Sequence, residues 1–470
     1  MNDVFVALSC FSLEPYSKII QYNSSITYFA FPLQFWHSRC SEISIYGNLI
    51  QNFFKEVNTM NSGDTAWVLT STVLVFAMTI PGLAFFYGGL VRRKNVLSIL
   101  MQCFIIMCVI SLQWVLFGYS LSFGPDTGWG IIGSLKWAGL NFVGSQPNPD
   151  YAATIPHSVF MIFQCMFAVI TPALIIGAFA ERLKFSAFLI FSVLWATFVY
   201  NPIAHWVWGA GGWMKSFGVM DFAGGIVVHA SSGVSALVFC LLLGRRVGYQ
   251  HPPFRPHNLP FTVLGAGLLW FGWFGFNAGS ALAADGIAAN AFITTHVAAA
   301  MAGLTWALIE WQQNGAPTIL GACTGAVAGL ATITPVCGFV NPINAIFIGI
   351  LASVFCYIAI AVIKTKLGYD DALDAFGVHG VGGIWGTIAV GLFAEKAVNA
   401  TGANGFFFGD THQFFVQLMM VAVASAFVAV MTWILFKFVD AVVGMRVEEK
   451  QEVIGLDLTQ QSEAAYTVIE

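Results

Sequence analysis

Between Thr65 and Phe436 the chain is a succession of apolar runs separated by short polar breaks. The runs lie near 65–87, 96–123, 157–179, 187–207, 222–243, 260–283, 287–309, 318–336, 342–363, 375–394 and 413–436. About 20 apolar residues cross a bilayer as a helix. Helix is the natural form there, because every backbone N–H and C=O must be satisfied within the segment. The pattern predicts an all-α polytopic membrane protein of about eleven transmembrane helices, with bilayer lipids as its surroundings.

Composition agrees. The chain is 58% hydrophobic and 9% charged, against about 25% charged in soluble proteins, and its mean hydropathy is +0.77. The 47 glycines suit helices that pack closely in lipid, where small residues let backbones approach. A net charge of −4 spread over so few ionisable residues says little about partners. No basic patch of the kind that binds nucleic acid is present. The nine cysteines show no CxxC or zinc-ligand spacing, and seven fall inside the runs or at their edge, where they act as small apolar residues. No metal and no cofactor is expected.

Lys and Arg set the orientation, since they collect on the cytoplasmic side. Segments after the odd-numbered runs hold Arg92, Arg93, Lys94, Arg182, Lys184, Arg245, Arg246, Arg255, Lys364 and Lys366, and the last run is followed by Lys437, Arg446 and Lys450. Segments after the even-numbered runs hold Lys136, Lys215 and Lys396. The first helix therefore starts outside and the C-terminus lies in the cytoplasm, giving an N-out, C-in protein.

Residues 1–59 differ from the rest. Their best apolar run, Ile26–Trp36, is short and broken by Pro32, and no signal-peptide pattern is evident. Met60 stands just ahead of the first run and would be a natural start. The expected division is thus an unassigned extension over 1–59, a transmembrane domain over 60–438 and a cytoplasmic tail over 439–470. The extension reads as upstream sequence from a misplaced start codon, with a disordered extracellular segment as the alternative.

Setting the eleventh run aside, the first ten divide into five and five. An odd number per half reverses the second copy, so the repeat has inverted topology, and sites in such proteins lie near the midplane at the repeat interface. Run five carries His229 in DFAGGIVVHASSG and run ten carries His379 in DAFGVHGVGG. Each follows a Val, precedes a Gly by four residues (Gly233, Gly383) and follows an aspartate, Asp221 or Asp374. Ionisable groups at membrane depth are functional by default. A pseudo-two-fold axis would bring the two histidines together, and the nearby Gly224, Gly225, Gly380, Gly382 and Gly383 would permit close approach.

The segments MTIPGLAFFYGGLVRRKN (78–95), GAFAERLKFSA (177–187), DFAGGIVVHASSG (221–233), GWFGFNAGSA (272–281), LGACTGAVAGL (320–330) and DDALDAFGVHGVGG (370–383) closely resemble the ammonium transporters, the Amt/Mep branch of the Amt/Mep/Rh family. The likeness runs from about Met60 to the C-terminus. It implies an eleven-helix fold in the cell membrane, assembled as a homotrimer with one pore per subunit. It also implies an external recruitment site at Trp208 and Ser280 and a gate of stacked rings at Phe163 and Phe276. The pore would be lined by His229, His379, Phe86, Tyr87 and Trp273, with Asp221 shaping the vestibule. The activity implied is transport, not catalysis.

Physical chemistry makes that arrangement sensible. Ammonium and potassium are alike in size and charge, but only ammonium can give up a proton. With a pKa of ~9, deprotonation at pH 7 costs about 3 kcal/mol at 1.36 kcal/mol per unit. Capture, deprotonation and passage of neutral ammonia through a narrow apolar pore are therefore feasible and selective. An indole face attracts a cation and a hydroxyl oxygen accepts an N–H bond. Two neutral imidazoles in contact can share a proton and offer either N–H or a lone pair.

Plainer roles compete for each residue. Trp208 would also serve as an interface anchor, and Ser280 as a small packing residue. The histidines would also serve as core groups bonded to carbonyls. Asp221 opens run five, where a carboxylate caps free N–H groups, and this structural role is preferred to ammonium ligation. Asp370, Asp371 and Asp374 open run ten in the same way. His205 and His296 have no mirrored partner and read as satisfied core residues. The tail run GMRVEEKQEVIGLD (444–457) resembles the family's regulatory tail, but Gln461-Ser462-Glu463-Ala464-Ala465-Tyr466 stands where bacterial relatives read HGExAY. The resemblance also implies a PII-type regulatory protein as a candidate partner at the cytoplasmic face. Two other classes remain: an ammonium sensor using the same pocket, and a membrane-embedded enzyme using the two histidines as acid and base.

Overall fold

The protein is described from a computed structural model, which covers residues 60–249 and 254–466. The reading of 1–59 as an extension lies outside these residues. Among the described residues ten helices are long and apolar enough to cross a membrane: α1 Ser62–Leu90, α2 Arg93–Phe123, α3 His157–Phe179, α4 Phe185–Ser216, α5 Gly225–Leu243, α6 Leu259–Ala281, α7 Gly286–Asn314, α9 Pro342–Leu367, α10 Phe376–Phe393 and α11 Thr411–Val443. The expected run at 318–336 is a shorter apolar helix, α8, over Ile319–Ile333. It stops early because Pro335 has no N–H to continue it. The Pro335 carbonyl instead accepts the Phe222 N–H at 3.0 Å. Two short helices, α12 Glu449–Ile454 and α13 Leu456–Gln460, follow in the tail.

Side chains with oxygen acceptors start several helices. Asn61 accepts from the Gly63 and Asp64 N–H groups, Asp285 from Ala288, Thr318 from Gly321 and Asn341 from Asn344, each satisfying an otherwise unpaired donor. In α1 the helix breaks at Ile80 (φ −130°, ψ 112°), next to Pro81, the usual cause of a sharp kink. Helix α3 is apolar all round and almost wholly buried, as a central bundle helix must be. By contrast, α7 and α11 keep large apolar side chains outward. His296 lies on that outer face of α7, exposed and beside Trp270. The expectation of a core position therefore fails: its helical phase turns it away from the bundle.

Equivalent helices of the two halves meet. Helix α1 packs on α6, where a Cβ on Gly265 would come within 2.1 Å of the Phe86 nitrogen. Helix α5 crosses α10 at Gly233 and Gly383. A Cβ on Gly233 would lie 2.0 Å from the Gly380 nitrogen, and one on Gly383 would lie 2.6 Å from the Ala230 nitrogen. Only glycine allows backbones this close.

At the Arg-rich end a buried ion cluster ties four loops together. Glu181 accepts from the Arg92 backbone N–H (2.6 Å) and Nε (2.8 Å), and from Arg246 (3.0 Å). Arg246 also makes a forked pair with Asp370, at 2.9 and 2.8 Å. Asp370 is thus an ion-pair partner rather than a helix-opening charge. Burial pushes the Glu181 carboxyl up, but Arg246 and Arg92 outweigh it and hold the group below its ordinary range. The tail docks here despite its altered sequence. Glu452 accepts from Val247 N–H (2.6 Å) and pairs with Arg446 (2.8 Å), Asp457 accepts from Ser98 N–H (2.8 Å), and the Tyr466 hydroxyl meets His257 Nε2 at 2.9 Å.

Candidate functional site

The segments that begin α5 and α10 are built alike. Asp221 Oδ1 accepts the N–H groups of Gly224 (2.7 Å) and Gly225 (2.6 Å), and Oδ2 accepts those of Ile226 (2.8 Å) and Val227 (3.3 Å). Four donors on one buried carboxylate fix the start of α5. In the other half Asp371 does the same work, accepting from Ala375 (3.1 Å) and Phe376 (2.8 Å). Each aspartate stands eight positions before its histidine, so the mirrored partner of Asp221 is Asp371. Asp374, which the sequence suggested, pairs with Lys364 at 2.6 Å and takes the left-handed backbone position that Gly224 takes in the first half.

These caps feed widened turns. The His229 N–H reaches back five residues to the Gly224 carbonyl at 3.0 Å, a π-type turn of the kind common at functional sites. The glycine crossing then sets the two imidazoles side by side, with centroids 5.3 Å apart and planes within 14°. Both are buried. Among the described residues neither ring nitrogen of His229 has a hydrogen-bond partner, nor does Nδ1 of His379. The direct link between the rings expected from the sequence is therefore not made, and neither is the carbonyl bonding that a purely structural role would require. Buried nitrogens without partners are costly, and each calls for an explanation.

The pair lines a narrow cavity of about 10 Å³, roughly the space one water needs. Its other walls are apolar, among them Met78, Phe86, Ile170, Leu269, Trp273, Phe276 and Val327. Trp273 lies nearly parallel to His229 at 5.4 Å, and its indole N–H is held by Thr334 Oγ1 at 2.9 Å. Tyr87 does not reach this wall. Its hydroxyl donates to the Leu174 carbonyl at 3.0 Å, so it ties α1 to α3 instead.

A second cavity, of 140 Å³, opens on the opposite side from the Arg-rich end, and both Trp208 and Ser280 line it. The Trp208 N–H donates to the Asp221 carbonyl at 2.8 Å, which fixes the indole plane. Ser280 donates to the Phe276 carbonyl at 2.8 Å and keeps its lone pairs free. Between the two cavities, the ring that meets Phe276 belongs to Phe167, at 4.3 Å and 33°. Phe163, one helical turn earlier on α3, touches Phe167 edge-on at 5.0 Å and is fully buried. Sequence reasoning missed Phe167, although its spacing of four from Phe163 places it on the same face of α3.

The profile of the Ammonium Transporter Family matches residues 66–466. The chain belongs to this family. An ammonium transporter of Bacillus subtilis is 53% identical over 407 residues, covering 87% of this chain and 99% of that one. Ammonium transporter Amt1 of Archaeoglobus fulgidus is 47% identical, covering 87% and 100%. Among solved structures, Saccharomyces cerevisiae Mep2 superposes with a TM-score of 0.79 at 36% identity, covering 84% of this chain and 89% of that one. A protein described as a sensor Amt protein superposes with a TM-score of 0.78 at 29% identity, covering 85% and 98%. In this ammonium transporter, then, a polar vestibule, a pair of tilted phenyl rings in contact and a thin apolar cavity with two unbonded imidazoles follow one another.

Proposed function

We propose that the protein moves ammonium across the cell membrane by capturing the cation in the Trp208 vestibule and conducting ammonia past the histidine pair. The observation that carries this reading is the pair of imidazoles with unpartnered nitrogens in a cavity too thin for a hydrated ion. Trp208 supplies the aromatic face and Ser280 the lone pairs that a monovalent N–H cation needs. Phe167 and Phe276 exclude water, so the ion must shed its charge to pass. The imidazoles then replace water as hydrogen-bond partners for ammonia, and a proton released on capture can cross separately along them.

The Arg-rich end faces the cytoplasm by the positive-inside rule. A homotrimer and a PII-type protein at the cytoplasmic face belong to the same proposal. The alternative of a sensor draws on one specific likeness, the sensor Amt structure. A current recorded from reconstituted liposomes after an ammonium pulse tests the main reading. Ammonium-evoked charge movement or alkalinisation, unaffected by potassium, is expected, and its absence would leave the sensor reading standing.

A further inference from the structure

At the Arg-rich end lies a third cavity, of 440 Å³, which shares Phe86 with the apolar pore and reaches Val378 beside His379. Three charged side chains from different elements line it: Arg246, Asp374 and Glu310. The first two are already matched. Arg246 is paired with Glu181 and Asp370, and Asp374 with Lys364. Glu310, on α7, has no cationic partner within 4.0 Å among the described residues. The cavity therefore carries one uncompensated carboxylate.

The setting of that carboxylate is specific. Its Oε2 accepts the Thr318 N–H and hydroxyl, both at 2.8 Å, and Oε1 accepts only a long bond of 3.3 Å from Trp306 Nε1. A carboxylate offers about four lone-pair positions, so Oε1 retains one. Gly321 leaves the room it occupies, since a Cβ there would fall 2.2 Å from Oε1. Two aromatic side chains, Trp306 and Tyr357, line the same cavity with their rings 5.2 Å apart. Capping α8 requires acceptor oxygens but no charge. The charge, the spare lone pair and the aromatic walls are what a small N–H cation would use.

We infer that Glu310 holds ammonium at the inner mouth of the pore, as a counterpart to the Trp208 vestibule at the outer one. The inference rests on the transport reading and extends it by giving the pore a binding site at each end. The chemical class of ligand is a monovalent N–H cation, held where ammonia leaving the apolar pore meets water again and where outward-moving ammonium is first captured.

The test uses vesicles of defined orientation, with ammonium jumps applied to one face at a time and the current recorded. Glu310→Gln keeps an acceptor for Thr318 and removes the charge. It should raise the half-saturating ammonium concentration at the Arg-rich face by about tenfold and leave the opposite face unchanged. Thr318→Ala weakens the cap but keeps the charge, and should shift neither. Equal half-saturation for wild type and Glu310→Gln at the Arg-rich face overturns the inference, as does an equal shift in Thr318→Ala. A wild-type protein with no ammonium current at either face would instead defeat the transport reading itself. If Glu310→Gln does not assemble, crystals of the unaltered protein soaked in a thallium(I) salt decide the matter. An anomalous peak at Glu310 Oε1 supports the inner site, and a featureless map there overturns it.

Discussion

The rings of Phe167 and Phe276 meet at 4.3 Å, and each lines a different cavity: Phe167 the polar vestibule, Phe276 the apolar pore. Phe276 reaches across from α6, and its ring also lies 5.9 Å from His229. One contact thus joins the wall between the two cavities to the histidine pair.

Removing either ring should join the two cavities. Phe167→Ala should let water and potassium follow ammonium, read as faster osmotic shrinkage of vesicles and a potassium-dependent current. Phe163→Ala should cost about 3–5 kcal/mol of stability while leaving selectivity intact. Equal loss of selectivity in both variants would assign the barrier to the whole α3 surface rather than to the Phe167 ring.

Replacing both His229 and His379 with leucine should abolish ammonium-selective transport while the protein still assembles. The thermal midpoint should hold or rise, because unpartnered polar nitrogens are exchanged for apolar groups. Selective current from the folded double variant would reduce the pair to a packing role.

Trp208→Leu removes the indole face above the vestibule. A contact of ~1.4 kcal/mol corresponds to about one tenfold step in half-saturating external ammonium, with the maximal rate unchanged. An unaltered concentration dependence would make Trp208 an interface anchor.

Gly233→Ala forces a methyl group to within 2.0 Å of the Gly380 backbone, where no flexible side chain can yield. A loss of about 3 kcal/mol is expected, seen as a lower thermal midpoint and loss of folded protein after solubilisation. Gly267→Ala on α6, with nothing within 4 Å, should leave both unchanged. Similar midpoints for the two variants would contradict the backbone-to-backbone crossing.

Glu181 is held below its ordinary carboxyl range by Arg246 and Arg92. A depressed folded-state value stabilises the protein above the unfolded value, about 4.3, and that contribution is lost as pH falls through the folded value. Stability should therefore drop on acidification below about pH 4.3, and Glu181→Gln should flatten that acid limb. A variant with the wild-type acid limb would show that other carboxylates govern it.

Much of this was legible in the sequence because lipid imposes it. Spans, the five-plus-five repeat and the mirrored histidines follow from length, charge and spacing alone. The glycines at 233 and 383 stand at matching offsets from the two histidines, and each rests on the backbone of the opposite half. What was illegible depended on helical phase and on where hydrogen bonds end up. Phe163 and Phe167 share a face of α3, and only the position of α6 decides which one meets Phe276. Tyr87 sits in a distinctive motif, yet its hydroxyl is spent on Leu174. His296 is a histidine in an apolar run like the others, but it faces outward. Asp371 could have been found by counting eight residues back from His379, as Asp221 stands back from His229. Instead Asp374 drew attention as the nearer aspartate.

The crossing of α5 and α10 has a mechanical consequence. With main chain resting on main chain at Gly233 and Gly383, no layer of side chains separates the two halves at their centre, and nothing there can slide or repack. A cycle that rocked one half against the other would have to prise open its tightest joint at every turnover. Side-chain excursions at Phe167 and Phe276, by contrast, would leave that joint closed.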